Sequence, residues 1–297
     1  MKVNVLMLRL AKWMLGHYKV EGQKELPPQD PALIKTDIAP FEGAEKQQRY
    51  DIHYAEKPNG ITIIEIHGGA YIFSNRKNNA YYARFFANSG FNVVSLDYRL
   101  NHGHIAVHDQ IRDLACEIKH LYEHAEEFGL DPHKFVLTGD SAGGHFALII
   151  AAAMDDEQVR KNLQLDFGGC HVLAVAANSP LYDLVAVGQS DIMTKRAKKY
   201  MMGTYAFDMK MQALASVKGN IDNLKIPLFL STCKKDFIRE ETMNLKAYLE
   251  SRNYPFTFVD IEDESVGHVH NVVSPDFEPS KKVNNAMISF FEGVVNK

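Results

Sequence analysis

The sequence predicts an α/β fold with a mostly parallel central sheet flanked by helices. Apolar segments that favour strands alternate with helical stretches from residue 61 onward, and this alternation is typical of a parallel sheet. A glycine-rich segment, residues 139–144, lies between a strand-like run and a helix-like run. With 46% hydrophobic and 24% charged residues among 297, the chain can bury a large core as a single domain covering residues 1–297.

The individual elements follow from the hydrophobic runs and from the glycine or proline turns that bound them, such as the turn at Asp131-Pro132. Strands are predicted near residues 33–38, 48–55, 61–66, 92–97, 134–138, 170–177, 226–232 and 256–261. Helices are predicted near residues 79–89, 106–127, 142–154, 239–251 and 281–295. The sequence shows no internal repeat, so one continuous sheet is expected.

Ser141 lies at the centre of the glycine-rich segment, between the apolar run 134–138 and the helix-like run 145–151. The flanking glycines permit a strained backbone at the serine and close packing of helix on strand, which exposes the hydroxyl at the end of the sheet. The N-terminus of the following helix favours negative charge beside that hydroxyl. This nucleophile elbow predicts acyl-transfer chemistry on Ser141, with a chance Gly-x-Ser-x-Gly match as the alternative.

A second glycine turn, residues 67–71, follows the β-branched run 61–66. Its glycines allow backbone amides to approach a bound substrate closely. When a serine attacks a carbonyl carbon, the carbonyl oxygen becomes an oxyanion. Each N–H group that is fixed in place beforehand stabilises that charge by about 3 kcal/mol. An ordinary glycine turn is the alternative. We predict an oxyanion hole formed by the N–H groups of Gly68, Gly69 and Ala142.

The chain resembles the α/β-hydrolase fold and, within it, the hormone-sensitive-lipase-like esterases, over roughly residues 48 to 295. That family carries His-Gly-Gly-Gly/Ala and Gly-Asp-Ser-Ala-Gly-Gly, and Asp97-Tyr98-Arg99-Leu100 is similar to its Asp-Tyr-Arg-Leu segment. The family usually continues Ala-Pro-Glu, whereas this chain continues Asn101-His102-Gly103-His104. The resemblance implies a serine carboxylesterase for small to medium esters. Carbohydrate acetyl or feruloyl esterases, small peptidases and noncatalytic ligand-binding proteins of the same fold are the alternatives.

In this fold the acid follows the serine along the chain and lies just past a late strand. Asp236 comes directly after the apolar strand 226–232 and is the predicted acid. A solvated or helix-capping role is the alternative for Asp236. Asp260 and Asp263 are the other candidates for the acid.

The base is expected between the last strand and the terminal helix, where His268 and His270 both lie. His268 follows a glycine and resembles the family's catalytic histidine, so it is the predicted base. His270 remains the alternative. His268 would take the proton from Ser141, and Asp236 would orient the imidazole.

Residues 181–225 form an insertion that resembles the small cap of the family, with a helix-like stretch from Ser190 to Met202. Its methionines suit an adaptable apolar lining, while packing within the cap is the alternative. Residues 1–32 are predicted to add a helical segment to this cap, with a helix on a membrane surface as the alternative. Charges interrupt that segment, so neither a signal nor a membrane span is predicted. Four residues are predicted to contact substrate: Tyr71, Asp140, Met202 and Tyr205.

The resemblance implies a small-molecule ester as the partner, and composition argues against other classes of partner. A net charge of −4 argues against nucleic acid or an anionic membrane as the main partner. Three cysteines without Cys-x-x-Cys spacing indicate a reducing, cytoplasmic setting. The spaced histidines His102, His104 and His108 have no accompanying carboxylate signature of a metal site, so neither a metal nor another cofactor is predicted. The oligomeric state is open, with a homodimer as one alternative.

Overall fold

The computed structural model describes residues 30–101, 104–187, 198–199 and 202–295. The strands described there form one eight-stranded sheet in the order β1-β2-β4-β3-β5-β6-β7-β8. Their bounds are β1 Ile34–Ile38, β2 Tyr50–His53, β3 Thr62–Ile66, β4 Asn92–Leu96, β5 Phe135–Asp140, β6 Val175–Asn178, β7 Leu228–Cys233 and β8 Phe256–Ile261. Each predicted strand therefore has a counterpart. The prediction for β6 began too early, because residues 170–174 form an irregular apolar segment beside β5.

The bounds of the helices are α1 Ala80–Asn88, α2 Val107–Glu123, α3 Ala142–Asp155, α4 Glu157–Leu163, α5 Met209–Ala215, α6 Arg239–Ser251, α7 His270–Val273 and α8 Glu278–Val295. The short helices α4, α5 and α7 were not predicted. Asp156 caps α4 by accepting hydrogen bonds from two backbone N–H groups in the first turn. Asp208 caps α5 by accepting a hydrogen bond from the Met211 N–H.

The strand directions confirm a mostly parallel sheet. Strand β2 pairs antiparallel with both β1 and β4, whereas β3, β5, β6, β7 and β8 form parallel pairs with their neighbours, as β4 does with β3. Carboxyl ends of parallel strands meet at the same edge of a sheet, which is where α/β folds bind ligands. Residues that follow β3, β5, β7 and β8 are therefore brought to a common edge.

Side chains of the central strands alternate between two apolar cores, one on each face of the sheet. On β3, Ile64 and Ile66 belong to one core and Ile63 to the other. The first core includes buried residues of α2, α3 and α6, and the second includes those of α1, α7 and α8. Helices therefore cover both faces, as parallel sheets require.

Parts of the predicted cap lie outside the described residues, namely the N-terminal segment up to residue 29 and most of the helix-like stretch from Ser190 to Met202. The described part of the insertion contains α5. Within the described residues, none of the helices combines the length and the apolar character that crossing a membrane requires.

Candidate active site

Ser141 occupies the turn between β5 and α3 in a strained backbone conformation, with φ 53° and ψ −116°. A non-glycine residue held in a sparsely populated region costs roughly 1–3 kcal/mol, and such residues concentrate at functional sites. Hydrogen bonds fix the turn on both sides. The Ser141 N–H donates to the Asn178 carbonyl at 2.9 Å, and the Ser141 carbonyl accepts from the His145 N–H at 3.0 Å. This is the geometry of a nucleophile elbow.

Two glycines around Ser141 are required by close backbone approach. A Cβ atom on Gly143 would lie 2.0 Å from the carbonyl oxygen of Ile66, and one on Gly139 would lie 2.3 Å from the carbonyl oxygen of Gly143. No side chain fits at these distances. The glycines therefore allow α3 to begin directly against β3 and β5, which is the physical reason for the Gly-x-Ser-x-Gly spacing.

Asp236 and His268 are brought together after β7 and β8. The His268 Nδ1 atom lies 2.7 Å from Asp236 Oδ1, and both side chains are buried. Asp236 Oδ1 also accepts from the Ile238 N–H at 2.9 Å, and Oδ2 accepts from the Thr232 hydroxyl at 3.0 Å. Burial opposes ionisation of Asp236, but the hydrogen bond with His268, the charge of His268 and the Ile238 N–H outweigh it, so the pKa of Asp236 lies below the usual range.

These contacts determine which ring nitrogen of His268 is free to act. An ionised carboxylate can only accept hydrogen bonds, so the proton on the neutral imidazole resides on Nδ1. Nε2 therefore carries the lone pair that a general base needs. Phe237 packs beside this ring, with ring centroids 4.4 Å apart.

The alternatives for the base and the acid have other roles. His270 is buried, its Nδ1 lies 2.9 Å from the Ser280 hydroxyl, and burial lowers its pKa to about 4. Asp260 forms an ion pair with Arg239. Asp263 accepts a hydrogen bond from the Ser265 N–H in an exposed loop. The geometry therefore favours His268 and Asp236.

The predicted oxyanion hole requires one correction. The Gly68 N–H donates to Asp140 Oδ1 at 2.9 Å, so this amide is not available to a substrate. Among the described residues, the backbone N–H groups of Gly69, Ala70 and Ala142 form no hydrogen bond. Ala70 was missed in the sequence, although the third amide of His-Gly-Gly-Ala was a visible candidate. The available donors are therefore Gly69, Ala70 and Ala142.

The predicted substrate contacts separate into two groups. Asp140 is buried and accepts a hydrogen bond from the Gly68 N–H, and Met202 is 0% exposed within the larger core. Tyr71 is buried against His145, with ring centroids 5.6 Å apart, and the hydroxyl of Tyr71 has no hydrogen-bond partner among the described residues. Tyr205 is partly buried. The substrate contacts of all four residues stay predictions.

The segment Asp97–Leu100 acts as a support for the second glycine turn. The Tyr98 hydroxyl lies 3.0 Å from the His67 carbonyl oxygen and 3.1 Å from that of Gly68. The rings of Tyr98 and His67 are stacked, with centroids 4.3 Å apart. Asp97 forms a buried ion pair with Arg76 and lies 3.4 Å from His67 Nε2. This network holds the second glycine turn in place.

Within the described residues, no cluster of three or more His, Cys, Asp or Glu side chains could hold a metal ion.

Comparisons with known proteins connect this site to esterases. The family model BD-FAE matches residues 50–246, which is more than half of the chain. An acetyl esterase of Salmonella paratyphi B is 28% identical over 109 residues, which cover 36% of this chain and 33% of that protein. The alignments thus span about a third of the length of the curated relatives that the chain matches.

Solved structures share the fold over nearly the whole chain. Esterase B from Lactobacillus rhamnosis, in an inhibited form, has a TM-score of 0.87 at 20% identity, covering 98% of this chain and 96% of that chain. A bacterial heroin esterase has a TM-score of 0.70 at 19% identity, covering 96% and 90%. At these identities the similarity establishes the fold, and it confirms the predicted architecture.

Proposed function

Because the chain belongs to the BD-FAE family of α/β-hydrolase esterases, we propose that it hydrolyses carboxylic esters through an acyl-enzyme on Ser141. The observation that carries this proposal is the 2.7 Å hydrogen bond between His268 and Asp236, which leaves Nε2 of the imidazole unprotonated. A noncatalytic ligand-binding protein has no need of such an oriented base. The strained turn at Ser141 supports the same conclusion.

His268 acts first as a base and then as an acid. Its Nε2 takes the proton from the Ser141 hydroxyl as the serine oxygen attacks the ester carbonyl. The ionised Asp236 stabilises the imidazolium, which then gives its proton to the leaving alcohol. The same histidine activates a water molecule, whose attack releases the carboxylic acid and restores the serine.

Three backbone N–H groups stabilise the tetrahedral oxyanion, those of Gly69, Ala70 and Ala142. Each such donor is worth about 3–4 kcal/mol in the transition state, because it is fixed before charge develops. The N-terminus of α3 adds positive potential at the same place. These groups belong to rigid turns, so they need no reorganisation during the reaction.

The proposed substrates are esters with short acyl groups, with acetate the first choice. Curated relatives with acetyl-ester names support this choice. Acetyl esters of carbohydrates are the second candidate, since the acyl group is the same.

Further features of the proposal concern the whole protein. We propose one domain of residues 1–297, with residues 1–32 and 181–225 forming a cap, in a cytoplasmic setting without a nucleic-acid partner. Cys170 and Cys233 are unpaired and buried, and burial raises the pKa of each thiol to about 12, which fits inert reduced cysteines. The negative net charge supports the absence of nucleic acid. A homodimer would appear in a measurement of molecular mass in solution.

Hydrolysis of p-nitrophenyl esters from acetate to laurate, by the wild type and Ser141→Ala, tests the proposed activity. We expect wild-type turnover to be greatest on the shortest esters and to disappear in the variant. A serine-directed fluorophosphonate should label only the wild type. Folded wild-type protein that neither turns over any ester nor accepts the label would contradict the proposal.

A further inference from the structure

Two acidic side chains lie buried side by side behind the second glycine turn. Glu65 on β3 is 1% exposed and Asp140 at the end of β5 is 6% exposed. Their strands are neighbours in the sheet. Two carboxylates at such a place repel each other and lose their hydration, so the fold must supply hydrogen-bond donors to both.

Asn79 supplies those donors. Its Nδ2 atom lies 2.6 Å from Glu65 Oε1 and 3.0 Å from Asp140 Oδ1, so one amino group serves both carboxyl groups. The residue precedes α1 as its N-cap, a position where asparagine normally accepts a hydrogen bond from the helix backbone. Here the side chain makes no such bond. Its amide group forms hydrogen bonds with the acidic pair instead of with the helix backbone.

The contact continues from Asp140 to the turn that carries the oxyanion donors. The same Oδ1 atom that accepts from Asn79 also accepts from the Gly68 N–H at 2.9 Å. The packing is close, because a Cβ atom on Gly68 would lie 2.3 Å from Asp140 Oδ2. Gly68 directly precedes Gly69 and Ala70. A displacement of the Asp140 carboxyl group would therefore move amides that must meet the developing charge.

The charges around Glu65 are consistent with this arrangement. Burial and the nearby Asp140 raise the pKa of Glu65 to about 8, although the Asn79 amide and the charge of His67 act in the other direction. At neutral pH Glu65 is thus protonated, and the pair carries at most the charge of Asp140. A single amide is then enough to hold both groups in place.

We propose that Asn79 is a positioning residue of ester hydrolysis, which holds the Asp140 carboxyl group against the Gly68 N–H and so fixes the amides of Gly69 and Ala70. Asn79 touches no reacting atom and acts through Asp140. The inference rests on the proposed function, since it concerns the same oxyanion hole. It adds a residue from the start of α1, outside every sequence motif of the site.

Steady-state hydrolysis of p-nitrophenyl acetate by Asn79→Ala tests the proposal. Misplaced donors weaken transition-state stabilisation more than substrate binding, so kcat should fall about 10-fold to 100-fold while KM changes less than about 2-fold. Asn78→Ala is the matched control, because Asn78 is the adjacent, exposed asparagine and its amide bonds only to the Ser74 hydroxyl. That variant should keep wild-type kcat.

A double-mutant cycle separates positioning from a general loss of stability. If Asn79 acts through Asp140, then Asn79→Ala should cost little further kcat in an Asp140→Ala background. Asn79→Ser keeps one donor and should fall between the wild type and the alanine variant, and it decides the question if Asn79→Ala does not fold. Melting temperatures identify the folded variants.

The outcomes distinguish this inference from the proposed function. Wild-type kcat in folded Asn79→Ala or Asn79→Ser, a loss confined to KM, or fully additive effects in the cycle would overturn the role of Asn79 while leaving the esterase intact. A wild type without turnover or fluorophosphonate labelling would instead overturn the proposed function itself.

Discussion

Two regions at the carboxyl edge of the sheet bury acidic side chains, and the pKa of the carboxyl group is lowered in one region and raised in the other. Asp236 accepts hydrogen bonds from Thr232, Ile238 and His268, and its pKa lies below the usual range despite burial. Glu65 receives one short hydrogen bond, from Asn79, and its pKa is raised to about 8. Depth of burial is similar in the two regions, so the number of donors and the charge of the neighbours make the difference.

The lowered pKa of Asp236 and the raised pKa of Glu65 suit two different roles. In the proposed mechanism, the region of Asp236 stabilises a positive imidazolium during proton transfer, which requires a carboxylate that is already ionised. The region of Glu65 must hold a backbone turn in place, for which a protonated carboxyl group and an amide suffice. The carboxyl group of Asp236 is therefore ionised, because it stabilises a charge that forms in the proposed reaction. The carboxyl group of Glu65 is protonated, because it serves only to hold the backbone in position.

The first prediction concerns His268 and His270, which lie two residues apart and have different proposed roles. His268 is the proposed base, and His270 supports the fold. His268→Ala should lower kcat by on the order of 10⁶-fold, because it removes the base. His270→Ala should keep most of its activity but lose about 1–3 kcal/mol of stability, because the hydrogen bond to Ser280 is removed from a buried place. Hydrolysis rates and urea unfolding measure the two effects. Loss of turnover only in His270→Ala would reverse the assignment.

Most of the sheet could be predicted from the sequence, because its strands are apolar runs bounded by turn residues. The sharp turn at Ser141 was equally visible, since close backbone approach requires glycine at positions 139 and 143 and so fixes the spacing around the serine. The short helices α4 and α5 were missed because each has only 7 residues, about two turns, which is too short for a helical period to stand out in the sequence. Only the caps Asp156 and Asp208 marked where they begin.

In the second glycine turn, the amides that the structure leaves available begin one residue later along the chain than the predicted oxyanion donors. Sequence identifies glycines that can approach a substrate, but it does not show which amides are already used. Gly68 is needed as a glycine for its contact with Asp140, and Ala70 provides an amide although it carries a side chain. Asn79 is likewise invisible in the sequence, because its role depends on two strands that meet only in the folded protein.

The second prediction removes the charge of Asp236 without changing its size. In Asp236→Asn the amide group can donate to Nδ1 and so favour the wrong tautomer of His268, and kcat should fall about 10⁴-fold. Asp260→Asn is the matched control, since Asp260 on β8 pairs with Arg239 of α6 and the structure gives Asp260 no contact with His268. Steady-state kinetics of both variants test the comparison. An equal loss in both would contradict the assignment of the acid.

The third and smallest effect concerns stability as a function of pH. The pKa of Glu65 is raised in the folded state, so its contribution to stability is fully present below its unfolded pKa and is lost as pH rises towards about 8. For Asp236, whose pKa is lowered, the contribution is present above its unfolded pKa and is lost as pH falls. The two regions should therefore destabilise the fold at opposite ends of the pH range.

Glu65→Gln isolates the alkaline half of this behaviour, because glutamine can still accept the Asn79 hydrogen bond but cannot ionise beside Asp140. Urea unfolding of both proteins should be measured between about pH 5 and about pH 9, a range that brackets the raised pKa of Glu65. The wild type should lose stability relative to the variant as pH rises. Parallel curves would mean that Glu65 ionises as it does in the unfolded chain. The carboxyl pair would then carry two charges at neutral pH, and a single amide could not be what holds it.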